Sequence, residues 1–139
     1  MPFVRWVSLL VGMLFLLSAA SCAKKDEVTR YEVSGSISLE GEPLPAGEII
    51  FEPDTAQGNS GPAGIADIKE GKYTSRKGWG VVGGPHIAVI TANNGGALPE
   101  DGVPPAGYQL LFEHRVPIDF TDDNFEQSIE VSKSDIKRR

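Results

Sequence analysis

Two histidines, one cysteine and a short acidic run are the residues of this chain whose types could do chemistry. His86 and His114 are its side chains that titrate near neutral pH when unperturbed, which makes them the candidate general acids or bases. Hydrolysis without a metal also needs a nucleophile or activated water and a group to stabilise developing charge. No nucleophile motif accompanies either histidine. His86 with Arg115 or Asp119 would form an acid–base pair only if the fold brought them together. His114 falls on the apolar face of its segment, where a packing role accounts for it. A transition-metal site wants three or four His or Cys ligands at tight spacing, so neither a metal nor another cofactor is expected. Asp122-Asp123-Asn124 with Glu126 offers oxygen atoms to calcium but lacks the alternate-residue spacing of a calcium loop. A hairpin turn rich in Asp and Asn accounts for it.

The cysteine belongs to a different kind of chemistry. Cys22 is the only one, so it makes no internal disulfide. Ahead of it lie a short positive start at Arg5, an apolar run over Leu9–Leu17 and the small residues Ser18-Ala19-Ala20-Ser21. That order is the order of a secretory signal, and the apolar run is shorter than the roughly 20 residues of a spanning helix. Leu17-Ser18-Ala19-Ala20-Ser21-Cys22 resembles the lipobox of bacterial lipoproteins, with Ala19 where leucine is usual. The resemblance implies a signal over 1–21, cleavage before Cys22, and a diacylglycerol and further acyl chain such as palmitate on that cysteine. An ordinary signal cleaved near Ala20, or an uncleaved anchor helix, is the alternative. Ala23 follows the cysteine, where lipoprotein sorting would use aspartate for inner-membrane retention. The expected place is therefore the extracytoplasmic side of the cell envelope, the outer membrane ahead of the inner.

The remaining chain must be positioned by strands. Hydrophobic residues make up 40% and charged residues 23%, a mix that supports an ordinary core. The 139 residues are too few for a barrel enzyme or a doubly wound nucleotide enzyme of usual size. Thirteen Lys and Arg stand against 19 Asp and Glu, a net charge of −6, and loss of Arg5 with the signal makes it −7. Nucleic acid is excluded as a partner on that balance. Residues 31–40 alternate strictly, with Tyr31, Val33, Gly35, Ile37 and Leu39 on one face. Further strands are expected over 48–52, 65–68, 73–75, 87–92, 112–120 and 125–131. Turns are expected at Glu40-Gly41-Glu42-Pro43 and Lys69-Glu70-Gly71-Lys72. The apolar run Ile87–Ala92 reads as a central strand covered on both faces. Pro117, which lacks an N–H, places 112–120 at an edge or at a bulge. Val33, Ile37, Phe51, Val89, Ile118 and Ile129 are the expected core. Seven or so short strands with Gly/Pro turns and no helix of three turns predict an all-β, antiparallel Greek-key sandwich over 31–132. A linker over 22–30 would precede it and a basic tail over 133–139 would follow it.

The segments also carry a resemblance. Gly35-Ser36-Ile37-Ser38-Leu39-Glu40-Gly41-Glu42-Pro43-Leu44 followed by Glu48-Ile49-Ile50-Phe51-Glu52-Pro53 resembles the opening of transthyretin-like, carboxypeptidase regulatory-like domains. Gly71-Lys72-Tyr73 is similar to their Asp-Gly-Lys-Tyr hairpin, with Glu70 in place of the aspartate. Gly80 through Ile90 is similar to the glycine-rich lead into one of their core strands. The resemblance spans Val33 to Val131 and implies a fold, with no activity attached to its turn and strand signatures. One enzyme family of that fold hydrolyses 5-hydroxyisourate and ends Tyr-Arg-Gly-Ser. Here the last residues are Ile136-Lys137-Arg138-Arg139, so that activity is not carried over. The function expected is a membrane-anchored, non-catalytic binding or structural module whose partner is an envelope protein or polysaccharide. The alternative is a small envelope enzyme or carbohydrate-binding accessory domain using the 93–107 loop.

Overall fold

The structure is a computed structural model that describes residues 28–95, 103, 106–121 and 125–136. The signal-like segment, Cys22 and Asp122-Asp123-Asn124 lie outside the described residues, as do most of the 93–107 loop and the last three residues. Eight strands follow one another: β1 Ser34–Leu39, β2 Glu42–Pro43, β3 Ala46–Pro53, β4 Gly64–Lys69, β5 Lys72–Ser75, β6 Gly84–Asn93, β7 Leu110–Phe120 and β8 Ile129–Val131. No α-helix occurs among the described residues.

The two Glu-Gly dipeptides make two of the hairpins. Glu40 and Gly41 both hold positive φ (52° and 81°), as do Glu70 and Gly71 (51° and 76°). Two positive-φ residues in a two-residue loop give the turn whose twist matches antiparallel strands, and glycine at the second position lowers its cost. They join β1 to β2 with Leu39 opposite Glu42, and β4 to β5 with Lys69 opposite Lys72.

The sheet runs β2–β1–β5–β4–β3–β6–β7, with β8 laid against β1. Each neighbour is antiparallel except β1–β8, which is parallel, with Ile37 opposite Ile129 and Leu39 opposite Val131. The architecture is the expected all-β one, an antiparallel sheet curled on itself, with the β1–β8 pair and the Ser34–Glu126 bridge ahead of it running parallel. After β7 the chain returns across the sheet, and Ser34 N–H donates to the Phe125 carbonyl (3.0 Å). Among the described residues β7 pairs with β6 alone, so Pro117 lies in an edge strand. The irregularity of that pair falls between Ala92 and Asn93, away from the proline.

Inside the curl lie Val33, Ile37, Ile49, Phe51, Tyr73, Val81, Ile90, Phe120, Ile129 and Val131, all buried. A chain of rings crosses this space. Phe51 meets Phe120 edge-on at 5.2 Å and Tyr73 at 6.0 Å, while Phe125 stacks on Phe120 at 6.3 Å and on Tyr31 at 4.6 Å. Gly35 makes room for Tyr73, its cross-strand partner. A Cβ on Gly35 would lie 2.9 Å from that ring and would collide with the Gln127 carbonyl that the Tyr73 hydroxyl uses at 2.8 Å. The tyrosine's burial pushes its hydroxyl pKa up to about 12.

Two expected core residues are placed differently. Val89 is half-buried on the outer face of β6, opposite Ile50. The inward positions of β6 are His86, Ala88, Ile90 and Ala92, and the small Ala88 lies opposite Phe51, where it leaves space for the ring. Ile118 packs against the core but stays half-buried, because its strand is the sheet's edge. Val33, Ile37, Phe51 and Ile129 are buried as expected. Replacing Phe51 with alanine should lower stability by about 3–5 kcal/mol. Denaturant unfolding of Phe51→Ala beside Val89→Ala checks it. An equal loss in the two variants would contradict the assignment of inner and outer faces.

Candidate functional site

β6 opens on Gly84, which holds φ at +75°, and this turn drives the His86 side chain into the core. The preceding loop is pinned from across the sheet. Asp54 caps a short 3-10 turn over Thr55–Gln57, accepting from the Ala56 N–H at 3.0 Å. Its own N–H donates to the Pro85 carbonyl at 3.0 Å. Asn59 follows, and its side-chain amide donates to the carbonyls of Gly83 (2.9 Å) and Pro85 (2.7 Å). Asp54, Asn59 and the Gly83–Pro85 backbone thus form a polar lid over His86.

His86 is 1% exposed. Its Nδ1 lies 2.8 Å from the Gly84 carbonyl, which can only accept, so we assign the proton to Nδ1. The Asn59 amide nitrogen, 3.4 Å from Nδ1, is then a second donor and makes no bond to it. Nε2 is buried without a hydrogen-bond partner, and the ring meets Phe120 edge-on at 5.4 Å. Burial pushes the pKa below the usual 6.5, opposed by the bond to Gly84 and the charge of Asp119. The ring is held neutral.

The other sequence-predicted residues are not gathered around it. His114 is half-buried on β7 opposite Ile90, whereas His86 is opposite Ile118. Four residues of strand separate the two positions, about 13 Å at an extended rise. Arg115 points to the outer face and pairs with Glu52, and no hydrogen bond joins His86 to Arg115 or Asp119. Glu126 is exposed and bridges to Ser34 through the backbone. Among the described residues no three His, Cys, Asp or Glu side chains gather as a metal would require. At the base of the 93–107 loop, Asn94 closes on Gln109, whose N–H donates to the Asn94 side chain at 2.6 Å.

The outer face carries groupings that sequence reasoning missed. Arg76 donates to both oxygens of Asp67 (2.6–3.0 Å) and to Glu48 at 2.8 Å, and its bond with Asp67 holds it charged well above ordinary pH. The signal for this trio is the hairpin register, which puts Asp67 opposite Thr74, so that Arg76, two residues on along the same face, lies diagonally across from it. Arg30 is tucked onto the carbonyls of Ala63 and Gly80, each at 3.0 Å, with its guanidinium 5.9 Å over the half-exposed Trp79 ring. Among the described residues this surface carries fixed ion pairs and the half-exposed Trp79 ring, while the buried His86 imidazole is closed off from solutes.

Compared with known proteins, the chain matches no family model, no curated protein and no solved structure.

The sealed histidine has a consequence for acid stability. Because the folded pKa is depressed, the unfolded chain takes up a proton that the fold refuses once pH falls below about 6.5. This contribution is complete above that pH and declines as pH falls toward the folded value. Urea midpoints at pH 7.5 and 5.0 should therefore drop further for the wild type than for His86→Gln. Equal drops would contradict a buried neutral ring.

Proposed function

We propose that this chain is a lipid-anchored envelope protein with a transthyretin-like β domain that binds or braces a partner and does no catalysis of its own. The observation that carries the reading is the order of residues at the start: one positive charge, an apolar run, four small residues and the lone Cys22. Acyl chains on that cysteine would each contribute about 0.8 kcal/mol per buried methylene, enough in combination for lasting attachment. The extracytoplasmic side, with the outer membrane ahead of the inner, follows from the signal and from Ala23.

The binding or bracing role draws support from the disposition of the β domain. Its buried His86 is spent on packing, and among the described residues three ion pairs, Arg76 with Glu48 and Asp67 and Arg115 with Glu52, fix charge on the outer face. An envelope protein or polysaccharide is the partner class this surface suits, and an acidic domain disfavours nucleic acid.

Intact mass of the N-terminal peptide from membrane-purified protein tests the anchor. The expected result is Cys22 as the first residue, carrying a diacylglycerol thioether, with Cys22→Ser accumulating as precursor or in the soluble fraction. An unmodified cysteine, or cleavage at another bond, would overturn the proposal.

A further inference from the structure

Among the described residues, the outward side of β7 is unpaired over Glu113–Pro117, and the direction of its backbone groups can be read from its neighbours. In a strand, successive residues point their N–H and C=O to opposite sides. The Pro85 carbonyl accepts from Asp54 on the β3 side, so the odd-numbered residues of β6 face β3 and the even-numbered ones face β7. Register sets His86 opposite Ile118 and Ala88 opposite Val116. The even-numbered residues of β7 therefore bond to β6, and Glu113, Arg115 and Pro117 turn their backbone groups away from the sheet. Asp119 agrees, because its carbonyl accepts from the Gln127 side chain at 2.7 Å on that outward side. Among the described residues, no group is hydrogen-bonded to the backbone of Glu113 or Arg115. Pro117 stands where a missing N–H costs no bond to β6.

The same edge is self-complementary in charge. Glu113 and Arg115 are exposed, two residues apart and opposite in sign. We propose that β7 is the docking edge for a second copy of this chain, paired antiparallel about His114. Glu113 of each copy then lies directly opposite Arg115 of the other. Both residues of each pair have outward backbone groups, so they exchange two hydrogen bonds in addition to their charges. Arg115 already bonds Glu52, and its guanidinium keeps further donors for a second carboxylate. The pairing also sets Leu111, which is 49% exposed, opposite Pro117 of the second copy.

Charge selects this register over its neighbours. Sliding the copies to the next outward pairing on one side sets Glu113 against Glu113, and on the other Arg115 against Arg115. Like charges directly opposite are destabilising. Charges and prolines commonly keep sheet edges apart, but such protection works by repulsion between like edges. Here the alternating signs attract in one register. The proposal does not depend on lipidation of Cys22.

Two measurements on the full chain test it. In the wild type, the Glu113 and Arg115 amides should exchange slowly with solvent at high protein concentration and faster on dilution. His114→Cys places the new thiol on the two-fold centre. Opposed residues of that non-hydrogen-bonded type lie roughly 4.5 Å apart at Cα, within disulfide reach. Mild oxidation should give a covalent dimer with His114→Cys and none with Val116→Cys, the wild type serving as the control for Cys22. Glu113→Arg should abolish that dimer and Glu113→Arg with Arg115→Glu should restore it, thermal unfolding checking that each variant folds. Exchange independent of concentration would overturn the proposal. So would equal cross-linking at positions 114 and 116, or failure of the folded double variant to restore the dimer.

Discussion

The ring of Phe120 is the contact on which the rest of the domain depends. It ends the edge strand, is 1% exposed, and meets Phe51, His86 and Phe125. Those partners come from the middle of the sheet, from the start of β6 and from the chain returning toward β1. One side chain thus ties the edge strand β7 to β3, to β6 and to the returning segment whose Phe125 carbonyl accepts from Ser34 of β1. Aromatic pairs add about 0.5–1.5 kcal/mol each beyond the area they bury. On the rim, the Gln127 side chain bonding to the Asp119 carbonyl spans the same gap, and its exposure makes it the weaker tie.

The position of His86 follows from that ring. Phe120 lies against the imidazole, the Asn59 amide ties down the loop beside it, and Gly84 supplies the turn that sends it inward. A base so enclosed reports on folding and is unavailable for proton transfer to a solute. The charged groups of the surface are spent differently. Exposed ion pairs such as Arg76–Glu48 contribute about 0–1 kcal/mol, so their main effect is a fixed pattern of charge on the outer face. Among the described residues the ion pairs lie on the outer face, and the one inward-facing titratable base, His86, is enclosed.

Local signals in the chain carried much of this fold. The two Glu-Gly turns, the strict alternation after Val33 and the edge position of Pro117 are each written within a few residues, and each is found in the structure. Val89 shows where such reading stops. The run Ile87-Ala88-Val89-Ile90 is apolar throughout, so no period marks its inner face; the size of Phe51 opposite Ala88 decides it. The parallel pairing of β8 with β1 was equally hidden, because alternation tells which face a residue takes and says nothing of which strand lies alongside. The segment expected as a strand over 125–131 is split for the same reason, with Glu126 bridging to Ser34 ahead of β8. Around His86 the sequence showed a histidine at the head of a strand. The Asn59 clamp comes from a loop with no period at all, and became visible only when the sheet set residues 59 and 83–86 side by side.

His86, the protein's candidate acid–base residue, is a structural element enclosed by Phe120 and the Asn59-tied loop. Nitrogen-15 NMR of the His86 ring tests this most directly, because it reads tautomer and titration together. The expected result is a neutral ring protonated on Nδ1 that stays neutral as pH falls past 6.5, the ordinary histidine value. A ring that titrates at or above 6.5, or that carries its proton on Nε2, would contradict it.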